Sequence, residues 1–361
     1  MYIDSHVHCR DGNERDKETI EHALKVAEDS GLSAIFDMPN TNPPITTRKQ
    51  VEERLREARK HIDKVFYGLF IGVTSEPEQI REAVETWREF SPKPGEMDGV
   101  VGLKMFAGKS VGDLSVVDEN KQRLVYRELR KLDYSGVLVV HCEKESLMKP
   151  ELWNPANPRT HSEARPECSE VQSVADQITF AVIGDYEGHL HIAHVSTSES
   201  VDIINEYKNN GMRISCGVTP HHLLLSQSDD ILLKVNPPLR SEETRKELFE
   251  YFLRGEIDTL ESDHAPHTYA QKTGKVLDKD GKPMYMSGIP NLATWPDVLS
   301  LLRARGATEE LIENVFYKNP SRIFGVDRRE NWRKIERGKH VRDYAFDAYA
   351  DLKWEELWVR D

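Results

Sequence analysis

Short apolar runs alternate with charge-rich amphipathic stretches eight times along this chain, and few folds accommodate such a pattern. The runs lie at 3–8, 33–38, 65–71, 100–106, 136–141, 189–194, 213–217 and 257–262. Segments 16–30, 48–61, 76–90, 119–132, 169–186, 198–210, 241–253 and 292–305 are amphipathic at helical spacing. Eight strand–helix units in series predict an α/β protein of the (β/α)8 TIM-barrel type. A doubly wound open sheet would call for a phosphate loop or a G-x-G-x-x-G turn, and neither is present. With 361 residues, 38% of them hydrophobic and 31% charged, the chain can build one large core under a charged surface. The expected division is a barrel over 1–325 and an aromatic, charged tail over 326–361. Trp332, Trp354 and Trp358 belong to the tail, which is expected to pack on the barrel's outside. Loops 147–166 and 267–287 leave the C-terminal ends of the fifth and eighth strands, the end where barrels build their sites.

Chemistry-bearing residues fall at those same ends. His6 and His8 share one face of the first strand, because successive side chains alternate. Taken alone, the pair also suits surface or packed histidines. The other strand ends carry Lys104, His141, His194 and Asp263, all converging on the C-terminal mouth. Alternation on the sixth strand groups Leu190, Ile192 and His194, which leaves His189 and His191 as outer-face or packing residues. Four histidines and a carboxylate suit two borderline divalent ions, zinc foremost. Lys104 read alone is an ordinary salt-bridging lysine. Its neutral amine could instead take up CO2, giving a carbamate whose two oxygens can bridge two ions. The net charge of -13 argues against a nucleic-acid partner. No apolar run reaches the roughly 20 residues of a membrane span. A strand that begins at once leaves no expectation of a signal peptide. Four cysteines without a CxxC pair fit a reducing cytoplasm, with Cys9 and Cys142 turned away from the neighbouring histidines.

Seven ordered motifs carry a family resemblance: His6-Val7-His8-Cys9-Arg10, Asp37-Met38-Pro39-Asn40-Thr41, Gly102-Leu103-Lys104-Met105-Phe106, Val140-His141-Cys142-Glu143, Ala193-His194-Val195-Ser196, Val235-Asn236-Pro237-Pro238-Leu239-Arg240 and Ser262-Asp263-His264-Ala265-Pro266-His267. Over about 1–325 the chain resembles the dihydroorotases, barrel enzymes of the amidohydrolase superfamily. The resemblance implies that His6, His8 and Asp263 bind one ion and His141 and His194 the other, with carboxylated Lys104 between them. It makes Asp263 the catalytic acid/base. Arg10, Asn40 and His267 become the groups that hold a ring carboxylate, and a guanidinium fork suits that task. Asn236 and Arg240 are read as pocket-wall or turn residues, and His221 and His222 as loop structure. The implied reaction interconverts N-carbamoyl-L-aspartate and dihydroorotate in pyrimidine biosynthesis. A hydantoinase or allantoinase acting on another cyclic ureide shares the ligand set, and an inactive scaffold for aspartate carbamoyltransferase is the non-enzymatic alternative. A homodimer and an association with aspartate carbamoyltransferase are the partner expectations.

Two departures from the family pattern stand out. The β-sandwich that longer relatives carry before the His-x-His is expected to be absent or reduced to the tail. Glu261 replaces a small residue and should either perturb the metal or pair with a nearby cation. Segment 107–112 is glycine-bearing and could form a lid.

Overall fold

A computed structural model describes residues 2–109, 114–328 and 338–353. Eight parallel strands follow one another in sheet order: β1 (Tyr2–Val7), β2 (Leu32–Asp37), β3 (Phe66–Gly72), β4 (Asp98–Ala107), β5 (Val137–Cys142), β6 (His189–Ile192), β7 (Ile214–Val218) and β8 (Thr259–Leu260). The ring closes at the mouth, where His8 N donates to His264 O at 2.8 Å and Val7 bridges His264 in parallel. The expected (β/α)8 barrel is therefore the observed one. β6 and β8 end two residues earlier than their apolar runs, and those last residues, including His194, belong to the loops of the mouth.

A strand in such a barrel is buried on both faces, which is why the runs read as continuously apolar. Outward residues such as Leu69, Leu138, Leu190 and Cys216 pack under the helices. Inward residues Ile3, Ala34, Phe36, Phe66, Phe70, Val101, Val137 and Val139 fill the barrel. The bottom is stoppered by the helix Asn319–Phe324, whose Phe324 ring stands edge-on 5.2 Å from Phe36. With the lower end filled, the open end is the mouth formed by the loops that follow the strands.

The covering helices start on side-chain caps: Thr19, Thr47, Asp118, Thr197 and Ser241 each accept from a backbone N–H of the first turn. The first helix is shorter than its amphipathic segment. It runs Ile20–Asp29 and follows a 3-10 turn at Gly12–Glu14. Loop 147–166 contains a short helix, Thr160–Ala164, and the fifth unit's covering helix begins at Glu167.

Three strands carry an extra residue, the first being β2, where Leu32 to Ala34 matches the single step from Tyr2 to Ile3. Three residue steps of β1, Asp4 to Val7, match two steps of β2, Ile35 to Asp37. On β4, pairing with β3 skips Val101. Each bulge reverses the inside–outside alternation beyond it. Ile3 points inward, yet Val7 packs outside, so His6 and His8 face the mouth. Val101 points inward, yet Leu103 and Met105 pack outside, so Lys104 and Phe106 face in.

Candidate active site

The six expected ligands meet at the mouth. His8 Nε2 lies 3.0 Å and His6 Nε2 3.4 Å from Asp263 Oδ1. Beside them His141 Nδ1 is 3.2 Å from His194 Nε2, and the His6 and His194 rings are 5.1 Å apart. Lys104 is fully buried, with Nζ 5.0 Å from the Phe106 ring. Burial first, reinforced by the Lys104 ammonium, lowers the proton affinity of all four histidines, His6 to about 4. They stand as neutral imidazoles, the form that binds metal. Burial brings Lys104 down to about 8, against the opposing pull of Glu261 and Asp263. Asp263 moves the other way: desolvation raises it from its ordinary value.

Strain accompanies this convergence. Arg10, His194 and Asp263 have φ of 48°, 39° and 46°, left-handed values that cost a residue with a side chain about 1–3 kcal/mol each. Their surroundings hold them there. Glu261 Oε1 accepts from His194 N at 2.7 Å, Ser262 N donates to Asp4 Oδ1 at 3.0 Å, and Asn291 Nδ2 donates to Ser262 O at 2.6 Å.

β6 does not behave as its alternation suggested. Leu190 and Ile192 face the helices, while His189 and His191 point into the barrel, both against Ser215 Oγ at 2.7 and 2.8 Å. His194 reaches the mouth because the backbone turns through a positive φ after the strand ends, not because it shares a face with Ile192. Glu261 pairs rather than intrudes. It lies 3.4 Å from His191 Nε2, 3.3 Å from Ser5 Oγ and 3.7 Å from His6 Nδ1. Gly217 makes room for it, since a Cβ there would fall 2.4 Å from the Glu261 carboxyl carbon.

Glu143 plays the same part for His141 and was not singled out from the sequence. Its Oε2 is 3.0 Å from His141 Nε2, and Arg165 clasps it from the loop after β5. Burial works against the charge, but Arg165 and His141 hold the Glu143 carboxylate well below its usual range. Its place two residues beyond a ligand histidine is the signal that would have found it. A carboxylate behind a ligand imidazole fixes the ring's orientation and tautomer.

The cleft over these groups is walled by Arg10, Asn40, Asn236, Ala265, Ser287 and Gly288. Arg10 is buried, with Nη2 3.2 Å from His267 Nε2. Its Nε and Nη1 have no hydrogen-bond partner, and Glu14 Oε1 is 4.0 Å from Nη1. His267 Nε2 also lies 3.1 Å from Ser287 O. Asn236 Oδ1 meets His161 Nε2 at 3.0 Å and accepts from Ser287 Oγ at 3.2 Å. Arg240 is structural: it donates to Ser196 Oγ and to Arg165 O. His221 and His222 are buried on a one-turn helix, Pro220–Leu224, rather than in a loop, and hydrogen-bond with Asn291 and with Pro237 O. Residues 110–112 of the expected lid lie outside the described residues.

The residues present fit a pair of divalent ions. Lys104 Nζ, His8 Nδ1 and His194 Nδ1 are buried without a hydrogen-bond partner, while His6 Nε2 and His8 Nε2 crowd Asp263 Oδ1 and His141 Nδ1 faces His194 Nε2. An unsatisfied buried polar atom costs about 1–3 kcal/mol, so such a concentration calls for a ligand. The donors, imidazole nitrogens and carboxylate oxygen, are those of zinc-type sites.

No protein-family model matches the chain. Among curated proteins it is 34% identical over 336 residues to a dihydroorotase of Thermococcus kodakarensis, covering 91% of this chain and 69% of that protein. It is 32% identical over 360 residues to a dihydroorotase of Methanosarcina acetivorans, covering 96% and 70%. The chain belongs to the dihydroorotase family. Like other dihydroorotases it is a cyclic amidohydrolase. Its fold is shared with an L-hydantoinase from Arthrobacter aurescens at a TM-score of 0.78 and 23% identity, covering 93% of this chain and 73% of that one. No helix among the described residues is long and apolar enough to cross a membrane.

Proposed function

We propose that this dihydroorotase-family chain interconverts N-carbamoyl-L-aspartate and dihydroorotate, a step of pyrimidine biosynthesis, at a site for two divalent ions, zinc by donor chemistry. The observation that carries the substrate choice is Arg10: a buried guanidinium with two partnerless nitrogens beside the metal-type cluster. A buried cation whose carboxylate neighbour, Glu14, stands 4.0 Å off and makes no hydrogen bond to it is costly, and a ring carboxylate would satisfy it bidentately. His6, His8 and Asp263 would hold one ion and His141 and His194 the other, with Lys104 as a carbamate between them. Two bound ions supply Lewis acidity that brings water's pKa toward neutrality and polarises an amide carbonyl.

The chain's own residues do the rest. Arg10, with Asn40 and His267, anchors the carboxylate and so orients the ring, and Asn236 borders the far wall. Asp263, whose affinity for a proton is raised by burial, takes the proton of the attacking water on a carboxylate oxygen and returns it to the leaving ring nitrogen. Glu143 and Glu261 keep His141 and His6 aimed. The carbamate forms when neutral Lys104 Nζ adds to CO2, making an N–C bond and releasing one proton. Residues 1–325 are the catalytic barrel in this reading and 326–361 its appended tail.

Arg10→Met tests the assignment. A charged hydrogen bond contributes about 1.5–3 kcal/mol, so losing a bidentate contact should lower kcat/KM on dihydroorotate about a hundredfold or more. Metal content should not change, and dihydrouracil, which lacks the carboxylate, should lose little. Equal losses on both rings, or a wild-type preference for dihydrouracil, would replace this reading with a hydantoinase-type one.

A further inference from the structure

Away from the mouth, residues 338–343 cross the first barrel helix, Ile20–Asp29, and three side chains meet there. His22 Nε2 lies 3.1 Å and His340 Nδ1 2.7 Å from one oxygen, Asp343 Oδ2. Each ring has its other nitrogen on a separate carboxylate: His22 Nδ1 is 2.6 Å from Glu18 Oε1, and His340 Nε2 is 2.8 Å from Asp29 Oδ2. The two rings stand edge to face, 5.9 Å between centroids.

This is the construction that metal-binding histidines use. A carboxylate behind each imidazole fixes the N–H on the far nitrogen and leaves a lone pair on the near one. Two such lone pairs and a carboxylate oxygen, already gathered around one point, make an N2O set of the zinc type with a fourth position for water. The charge balance favours a cation. Glu18, Asp29 and Asp343 surround the two rings, and the nearby ammonium groups, Lys25 and Lys339, both sit on Asp29. Access is open: the His22 and Asp343 side chains are 33% and 42% exposed. Without a metal the same field is satisfied by protons. Glu18 first, then Asp343, raise His22 to about 9 against the opposing effect of burial.

We propose that His22, His340 and Asp343 form a separate divalent-metal site, of zinc type, that clasps the C-terminal segment to the first barrel helix. The site shares no ligand with the cluster at the mouth and does not depend on the substrate proposed above. Among the described residues it reaches toward that region through Glu18, whose second oxygen meets Tyr344 Oη at 2.8 Å and His264 Nε2 at 3.3 Å.

The test is zinc binding by the full chain after chelator stripping, read by calorimetry and by elemental analysis after desalting. His340→Gln and Asp343→Asn, which keep the side chains close to their native size, should each bind one zinc equivalent fewer than wild type, whatever number the mouth retains. Zinc should slow proteolysis of the C-terminal segment in wild type and not in either variant. Equal zinc content in wild type and both folded variants would overturn the proposal. A measurement without variants decides it as well: zinc should shift the ring resonances of His22 and His340 in the wild-type NMR spectrum, and a saturating titration that leaves both unmoved refutes the site.

Discussion

Glu261 is the residue where this chain departs most instructively from its family's pattern, and the structure gives it a task. Its carboxylate accepts from the backbone N–H of His194, a residue held at φ 39°, and stands behind His6. Glu261→Ala would orphan that N–H and release the strained turn. We expect a loss of about 1–3 kcal/mol of stability in denaturant unfolding, together with weaker retention of metal. Unchanged stability and metal content would show the carboxylate to be a bystander. Lys104 offers a second test at this scale. Burial lowers it to about 8, so its amine is increasingly neutral as pH rises through that value. Incorporation of labelled bicarbonate, followed as a carbamate carbon signal, should increase over the same range, and Lys104→Ala should lose the signal, part of its metal and most turnover. A signal that persists in Lys104→Ala would place the modification elsewhere.

At the scale of the strand, bulges decide which residues the mouth receives. Simple alternation from Ile3 or from Val101 would send His6, His8 and Lys104 outward to the helices. One extra residue in β1 and one in β4 bring them in. β5 needs no such device, since Val137, Val139 and His141 keep step. The packing partner of Glu261 is also an element-level choice, because Gly217 on β7 leaves the space it fills. Gly217→Ala should overpack this point and cost about 1–3 kcal/mol. The double variant Gly217→Ala/Glu261→Ala should be more stable than the two single losses summed, because removing the carboxylate removes the clash. Strict additivity in the double-mutant cycle would contradict the contact.

For the whole molecule, the described part of the tail ties together distant parts of the barrel. Tyr349 Oη donates to Asn291 Oδ1, Lys353 pairs with Asp297, and Tyr344 reaches Glu18, all buried or nearly so. The His22 cluster makes this attachment pH-dependent when metal is absent. The folded pKa of His22, about 9, lies above its ordinary 6.5, so its contribution is complete below 6.5 and is lost as pH rises toward 9. The groups facing it are Glu18 on its own side and Asp343 and His340 from the tail, with Asp29, Lys25 and Lys339 beyond. In chelator-treated protein, protease cleavage of the C-terminal segment should therefore be faster at pH 9 than at pH 6.5, measured against a substrate-protein control. Saturating zinc should flatten that dependence. Faster cleavage at the lower pH would reverse the assigned sign.

The sequence by itself determined the barrel, the order of its strands and the identity of the six mouth residues, because eight alternating units and residues placed at strand ends are local patterns written in linear order. It also placed Arg10 and Asn40 near the mouth. What it could not determine is the way the side chains turn. The bulges in β1 and β4 depend on pairing with β2 and β3, and the turn at His194 depends on an acceptor 67 residues away, Glu261. So the parity argument on β6 failed even though His194 belongs to the site. Glu143 with Arg165 closes the long loop after β5, and Glu261 with Gly217 and His22 with His340 are pairings between segments far apart in the chain. They exist only once the elements pack together, and it is tertiary packing that turns a set of histidines into buried, neutral side chains backed by carboxylates.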